Sequence, residues 1–258
     1  MSVWPAAAWQ STAWHEAWFG GRLLVLAGIT VAVGSAYGTG LRLLPLTSLL
    51  RAAVQLSVVA LVLRGVLSVP WTAAAFVALM LSTASWTSTG RLRGLWHARR
   101  AAVLGVVSGS LVALAVVFAL GLASLEARYV VATGGIVIGN AMSAATLAGR
   151  NFLRAARTRS AEVEGWLALG ATPSTAHAAI AREAVRESLI PNLDQARSTG
   201  LVTLPGAFVG ALFGGATPLQ AAEFQLVVLG GIALAMTTTA IAVVTVVGRS
   251  PYVVDAQA

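Results

Sequence analysis

The chain has 258 residues, of which 57% are hydrophobic and only 10% charged, whereas a soluble domain carries about 25% charged residues; a water-soluble globule is excluded and an integral membrane protein implied. It contains no cysteine, which rules out disulfides, thiolate metal sites and cysteine nucleophiles. All seventeen basic residues are arginine, so no phosphate-binding loop ending in Gly-Lys is present, and the net charge of +8 reads as arginines flanking spans rather than a nucleic-acid surface.

In chain order, residues 1–22 carry Trp4, Trp9, Trp14 and Trp18 without a basic leader or a continuous apolar core. This segment does not read as a signal peptide; its indoles suit the headgroup level, and it is expected to be interfacial, on the outer side. Seven apolar stretches follow, at Leu23–Leu41, Pro45–Leu63, Val69–Thr89, Ala101–Leu122, Tyr129–Ala148, Leu201–Gly215 and Phe224–Val247. Each reaches or approaches the roughly 20 residues of a membrane helix. The sixth is short and rich in Gly and Pro, as in a broken or re-entrant helix. The expected fold is therefore all-α, a polytopic membrane bundle over residues 23–248 with a short tail at 249–258.

Arginine placement sets the expected orientation. Arg91, Arg93, Arg99 and Arg100 lie between spans three and four, and Arg150, Arg154, Arg157, Arg159, Arg182, Arg186 and Arg197 between five and six. With Arg42, Arg51 and Arg249 these fall on one side, leaving Arg22, Arg64 and Arg128 on the other. Basic loops stay cytoplasmic, which predicts an outer N-terminus and an inner C-terminus. Residues 151–199 form the only long polar stretch and are expected to be the cytoplasmic working part.

Within that stretch, Arg150, Arg154 and Arg157 are spaced i, i+4, i+7, so the fifth span should continue as a helix with a basic face near anionic headgroups. EVEGWLALGAT (162–172) then ends at Gly170, able to take the left-handed conformation, and Thr172-Pro173 restarts a helix as cap and first residue. That second helix should run to about Ile190, where Pro191 stops or kinks it. Glu183 and Arg186 form an i, i+3 pair on a solvated face. Trp166, Leu167 and Leu169 put apolar groups on a short element in water, which calls for a partner surface.

Glu164, Gly170 and Ile180 have the E-x5-G-x9-I spacing of the loop by which ABC permeases dock on their nucleotide-binding subunit, although the proline that usually follows is delayed to Pro191. GNAMSAATLAGRNF (139–152), EVEGWLALGATPSTA (162–176), IPNLDQARSTGLVTLPGAFVGALFGGATP (190–218) and EFQLVV (223–228) are together similar to the FetB-type ABC permease family, which includes bacterial iron-export permeases and plant proteins linked to aluminium tolerance. The resemblance implies a permease without enzymatic activity, present in two copies, exporting iron or another metal. ATP and Mg would be bound by a separate ATPase. Contact with that ATPase would fall on Glu162, Glu164, Trp166, Leu169, Gly170 and Pro173.

Polar residues inside the spans supply path candidates: Arg51 and Gln55, one turn apart in span two, then Asn140, Ser143 and Gln225. Arg51 is also near enough to the inner end to snorkel. Gly135 and Gly139, and Gly206, Gly210 and Gly214 after Pro205, suit close helix packing. Ala207, Phe208 and Ala211 stand where family members tend to carry methionines and a glutamine. His15, His97 and His177 are scattered without partners at metal-ligand spacing, so a metal site is not legible. Two other readings are a secondary transporter, disfavoured by the absence of repeated halves, and a lipid-phosphate enzyme using arginines and His177, which lacks a nucleophile and base pair.

Overall fold

The computed structural model describes residues 13–40, 42–66 and 70–251. These contain ten helices: α1 (Ala13–Ala36), α2 (Leu44–Val66), α3 (Pro70–Arg91), α4 (Ala98–Ala119), α5 (Ala127–Thr158), α6 (Ser160–Ala168), α7 (Pro173–Ala176), α8 (Ala178–Ser198), α9 (Gly206–Phe213) and α10 (Pro218–Val247). Among the described residues no strand forms, only a single bridge between Thr199 and Thr203. The chain divides into two units, residues 1–65 and 66–258.

The first unit holds α1 and α2, both long and apolar enough to cross a membrane over Trp18–Ala36 and Leu44–Leu63. Trp4 and Trp9 lie outside the described residues, while Trp14 and Trp18 are already part of α1. The Arg22 guanidinium sits 5.2 Å from the Trp18 ring, a cation–π contact. Hydroxyls in these helices fold back onto their own backbone, as Thr30 does to the Leu26 carbonyl and Ser57 to Ala53. A hydroxyl in hydrocarbon finds no water, and this bond satisfies it.

The second unit is a bundle built on α5 and α10. The latter packs along α4, α5 and α8, and α5 also touches α3, α4 and α8. Three of its helices, α4, α5 and α10, meet the membrane criterion of length and apolarity. At 22 residues α3 is long enough but diluted by hydroxyls, and Ser82, Thr83, Thr87 and Thr89 each donate to a carbonyl one turn back at 2.8 to 3.1 Å. Such self-bonding makes a Ser/Thr-rich helix tolerable in a membrane bundle.

Small residues set the closest approaches. Gly105 and Gly109 on α4 open a groove into which Thr239 and Val243 of α10 fit. The Thr239 hydroxyl crosses it to donate to the Gly105 carbonyl at 3.0 Å. On the facing side, a Cβ at Gly135 of α5 would stand 3.0 Å from Met80 of α3, and near the end of α5 Gly149 accommodates Leu92 and Leu95. Gly135 thus lies where α5 comes close to the Met80 side chain of α3. By contrast, a Cβ added at Gly139, Gly206 or Gly210 would have no neighbour within 4 Å, and one at Gly214 would meet only its own turn.

The sixth apolar stretch, expected as a broken or re-entrant helix, holds one short helix. Residues 199–205 turn, with Pro205 just before α9, and α9 is only eight residues long. The helix that runs back along the bundle is α8. Its preceding residue His177 packs on Phe152 near the end of α5, with ring centroids 5.6 Å apart. Its midpoint Leu189 packs against the cluster of Ala144, Val228, Ile232 and Met236. Beyond it, the Phe208 N–H of α9 donates to Gln225 near the start of α10. α8 therefore runs antiparallel to α10 from its end towards its beginning. At 1.5 Å per residue its 21 residues cover about 31 Å, the thickness of a bilayer core. Consequently Arg182, Arg186 and Arg197 belong to a bundle helix and not to a loop. Pro191 does not end this helix, which continues to Ser198.

Candidate functional site

The site with the most developed geometry is the hairpin between α5 and α8. α5 extends as expected past its apolar part to Thr158, with Arg150 and Arg154 exposed and Arg157 partly covered. Arg159 then breaks the helix (φ −111°, ψ 29°) and α6 begins at Ser160.

Two forces fix α6 on the bundle. Val163 is buried in the core cluster that also contains Phe152, Ala156, Ile180 and Val247, and Leu167, one turn on, packs against the same cluster. Arg159 adds a polar clamp: Nε and Nη2 donate to the two Glu162 oxygens at 2.7 and 2.9 Å, and Nη1 donates to Glu183 of α8 at 2.9 Å. Glu183 thus pairs with Arg159 and not with Arg186. The hydrogen bonds from Arg159 hold the Glu162 carboxyl below its usual range, and Glu162 in turn raises the Arg159 guanidinium. A depressed carboxyl pKa contributes stability above the ordinary glutamate value of about 4.3 and loses it as the pH falls through the lower folded value. The hairpin is accordingly expected to hold through neutral pH and to loosen only in strong acid. Replacing Arg159 by Ala should raise amide exchange over residues 160–171 several-fold at neutral pH, measured by mass spectrometry, and remove the acid-induced step.

The far end of α6 is closed by backbone alone. The N–H of Gly170, at φ +84°, donates to the Leu167 carbonyl at 2.9 Å, and that of Ala171 donates to Trp166 at 3.0 Å. This paired termination needs a left-handed residue, which glycine supplies without a Cβ penalty. Thr172 then caps α7, its hydroxyl accepting from the Thr175 N–H at 3.3 Å with Pro173 in the first turn. The next turn is interrupted at buried His177, whose Nδ1 donates to the Pro173 carbonyl at 2.8 Å before α8 starts. His177 is therefore occupied in shaping the hairpin.

With Val163 and Leu167 turned inward, the tip presents Trp166, 47% exposed, and Leu169, 83% exposed. Glu164 is exposed on the flank. The six expected contact residues thus lie on one short hairpin, but not in one role: Glu162 is clamped to Arg159, Gly170 and Pro173 shape the turn, and Trp166, Leu169 and Glu164 face outward. Sequence reasoning does not single out Arg159 or Val163 for the hairpin, although the apolar i, i+4 pair at 163 and 167 is a signal that could find the second.

The expected path residues are divided between the two units. Arg51 and Gln55 share a face of α2 in the first unit, both exposed. In the second, Asn140 donates one amide N–H to the Ile136 carbonyl at 2.8 Å and Ser143 donates to Gly139 at 3.1 Å, both within α5 itself. Gln225 is buried, 5% exposed, and its Oε1 accepts from Phe208 N–H at 3.2 Å. This bond caps α9 from outside, because Pro205 offers no side-chain cap. Near it an open cleft is lined by Arg128, Tyr129, Gly210, Ala211, Gln220 and Phe224. Among the described residues no three His, Asp or Glu side chains are close enough to hold a metal ion.

The chain is similar in sequence to known membrane proteins. The family model described as Uncharacterised protein family (UPF0014) matches residues 21–252. The UPF0014 membrane protein STAR2 of Oryza sativa subsp. japonica is 32% identical over 219 residues, 84% of this chain and 76% of its own length. Protein ALUMINUM SENSITIVE 3 of Arabidopsis thaliana is 32% identical over 75% of this chain and 72% of its own. The probable iron export permease protein FetB of Escherichia coli (strain K12) is 31% identical over 69% and 70%. No solved structure matches.

Proposed function

Because this chain belongs to the UPF0014 family of membrane proteins, we propose that it is the permease subunit of an ATP-driven exporter of iron or another metal ion. A separate chain binds ATP and Mg and docks on α6 from the cytoplasm. The α6 end is then the cytoplasmic end, with the N-terminus outside, and two permease copies in the inner membrane face two ATPase subunits. The name of the Escherichia coli relative supports the cargo, and the lack of lysine, which leaves no Gly-Lys phosphate loop, supports placing ATP hydrolysis in another chain.

The observation that carries the reading is the α6 tip. Exposed Trp166 and Leu169 are held by Val163, Leu167 and the Arg159 clamp onto the same cluster that contains the ends of α5 and α10. An exposed apolar knob on a rigid support suits a groove on a partner. A force applied there reaches α5 and α8 directly, since Arg159 ties α6 to both.

Co-expression with an ATPase lacking membrane spans, encoded beside this chain, tests the reading. Trp166→Ala should lower ATPase co-purification at least tenfold and abolish iron efflux, while the protein still inserts. Undiminished capture by Trp166→Ala, with α6 protected by lipid instead, would mean that the hairpin only lies on the bilayer. Efflux measured with radioactive iron against other metals identifies the cargo.

A further inference from the structure

We infer that α8 is the helix through which two copies of the chain face each other, so that the polar seam at membrane depth is complete only in the pair; this rests on the two-copy permease reading above. α8 turns Ile180, Ala184 and Ser188 into the bundle. Away from that stripe, Glu183, Glu187 and Asp194 follow i, i+4, i+11 spacing and form one column, while Arg182, Arg186 and Arg197 form another roughly a quarter-turn away. Ile190 lies between the columns and is 43% exposed.

Such a surface does not belong against lipid. Ionised side chains within a membrane face a protein interior, a partner charge or water. Three of the six find partners on their own chain, since Arg159 reaches Glu183 and Arg197 reaches Asp194 at 3.2 Å. Among the described residues Arg182, Arg186 and Glu187 have no ion-pair partner. Yet the helix runs beside α10 from its end towards its beginning, at the level of Ala144, Val228 and Met236.

A second copy supplies what is missing. An acidic column beside a basic column becomes self-complementary under a two-fold axis parallel to the helix, because the rotation sets each copy's acids opposite the other's arginines. Ile190 then lies on the axis. Charges of this kind keep a seam hydrated, which a route for a metal ion needs.

The absence of cysteine makes the test direct, because a single introduced thiol reports alone. Ile190→Cys in native membranes, treated with a bis-maleimide, should give at least tenfold more cross-linked dimer than Leu226→Cys, which sits on an exposed face of α10 at 67% exposure. Adding Asp194→Arg should reduce the dimer several-fold, and combining it with Arg197→Asp, which exchanges the two charges at that level, should restore it. Cross-linking at position 190 no greater than at 226 overturns the inference. A chain that captures the ATPase yet never links through position 190 overturns this inference alone and leaves the permease reading standing. One that links through 190 but captures no ATPase overturns the permease reading and supports the seam.

Discussion

Under the permease reading proposed above, Gly170→Val should leave the protein inserted and folded while reducing metal efflux at least tenfold. The residue sits at φ +84°, with nothing within 4 Å of an added Cβ, so the main cost is conformational. A β-branched residue in the left-handed region is a genuine outlier, and holding one there costs on the order of 1–3 kcal/mol. The hairpin relieves that strain by unwinding its own bonds, Gly170 to Leu167 and Ala171 to Trp166. Trp166 and Leu169 would then leave their fixed positions. Because the bundle below is anchored by Val163 and not by the turn, melting behaviour should change little. Gly170→Asn is the informative control, since asparagine tolerates the left-handed region and should retain most of the efflux. Equal activity in the Val and Asn variants would show that the turn does not transmit the stroke.

Gly109→Val should destabilise the second unit by roughly 3 kcal/mol or more, at the upper end of overpacking penalties. An added Cβ would fall on the Thr239 hydroxyl and 2.6 Å from the Ala235 carbonyl. Backbone cannot step aside as a flexible side chain would, so α4 and α10 must separate. Separation also removes the Thr239 to Gly105 hydrogen bond, which leaves a buried hydroxyl unpaired. The expected readouts are a lower midpoint of thermal unfolding in detergent and faster proteolysis of the α4–α10 region. Gly139→Val, at a position with open space around it, should shift the midpoint far less. If the two behave alike, the packing assigned to Gly109 is wrong.

These two glycines show how differently sequence informs structure. Gly170 is legible because it closes a helix just before Thr-Pro opens another, and both signals are local. Gly105 and Gly109 have the same four-residue spacing as Gly135 and Gly139, yet only Gly105, Gly109 and Gly135 meet a neighbour. Spacing says that a helix face is small; which helix arrives there depends on residues more than a hundred positions away, such as Thr239. The path candidates illustrate the same limit. Asn140 and Ser143 look like lining residues by polarity, and only the folded chain shows that each also donates to a carbonyl one turn back.

The displaced sixth span has another cause. Hydropathy favours Leu201–Gly215 because it is apolar, and passes over α8 because charges lower its average. In the folded chain the apolar stretch becomes a turn and the eight-residue α9, while α8 runs the length of the bundle. The spacing of Ile180, Ala184 and Ser188 at i, i+4, i+8 is a visible sign that residues 178–198 have a face to bury.

By itself the sequence determined that this is an all-helical membrane protein, that its hairpin is closed by Gly170 and reopened at Thr172-Pro173, and that the hairpin's tip is apolar. Those properties follow from composition and from backbone preferences within a few residues. Only the tertiary structure decided that α8 accompanies α10, that Thr239 enters the Gly105–Gly109 groove, and that Arg159 joins Glu162 to Glu183. Each of these depends on which surfaces meet, and in a chain of such uniform apolarity hydropathy does not choose the neighbour; shape and the pairing of a few polar groups do.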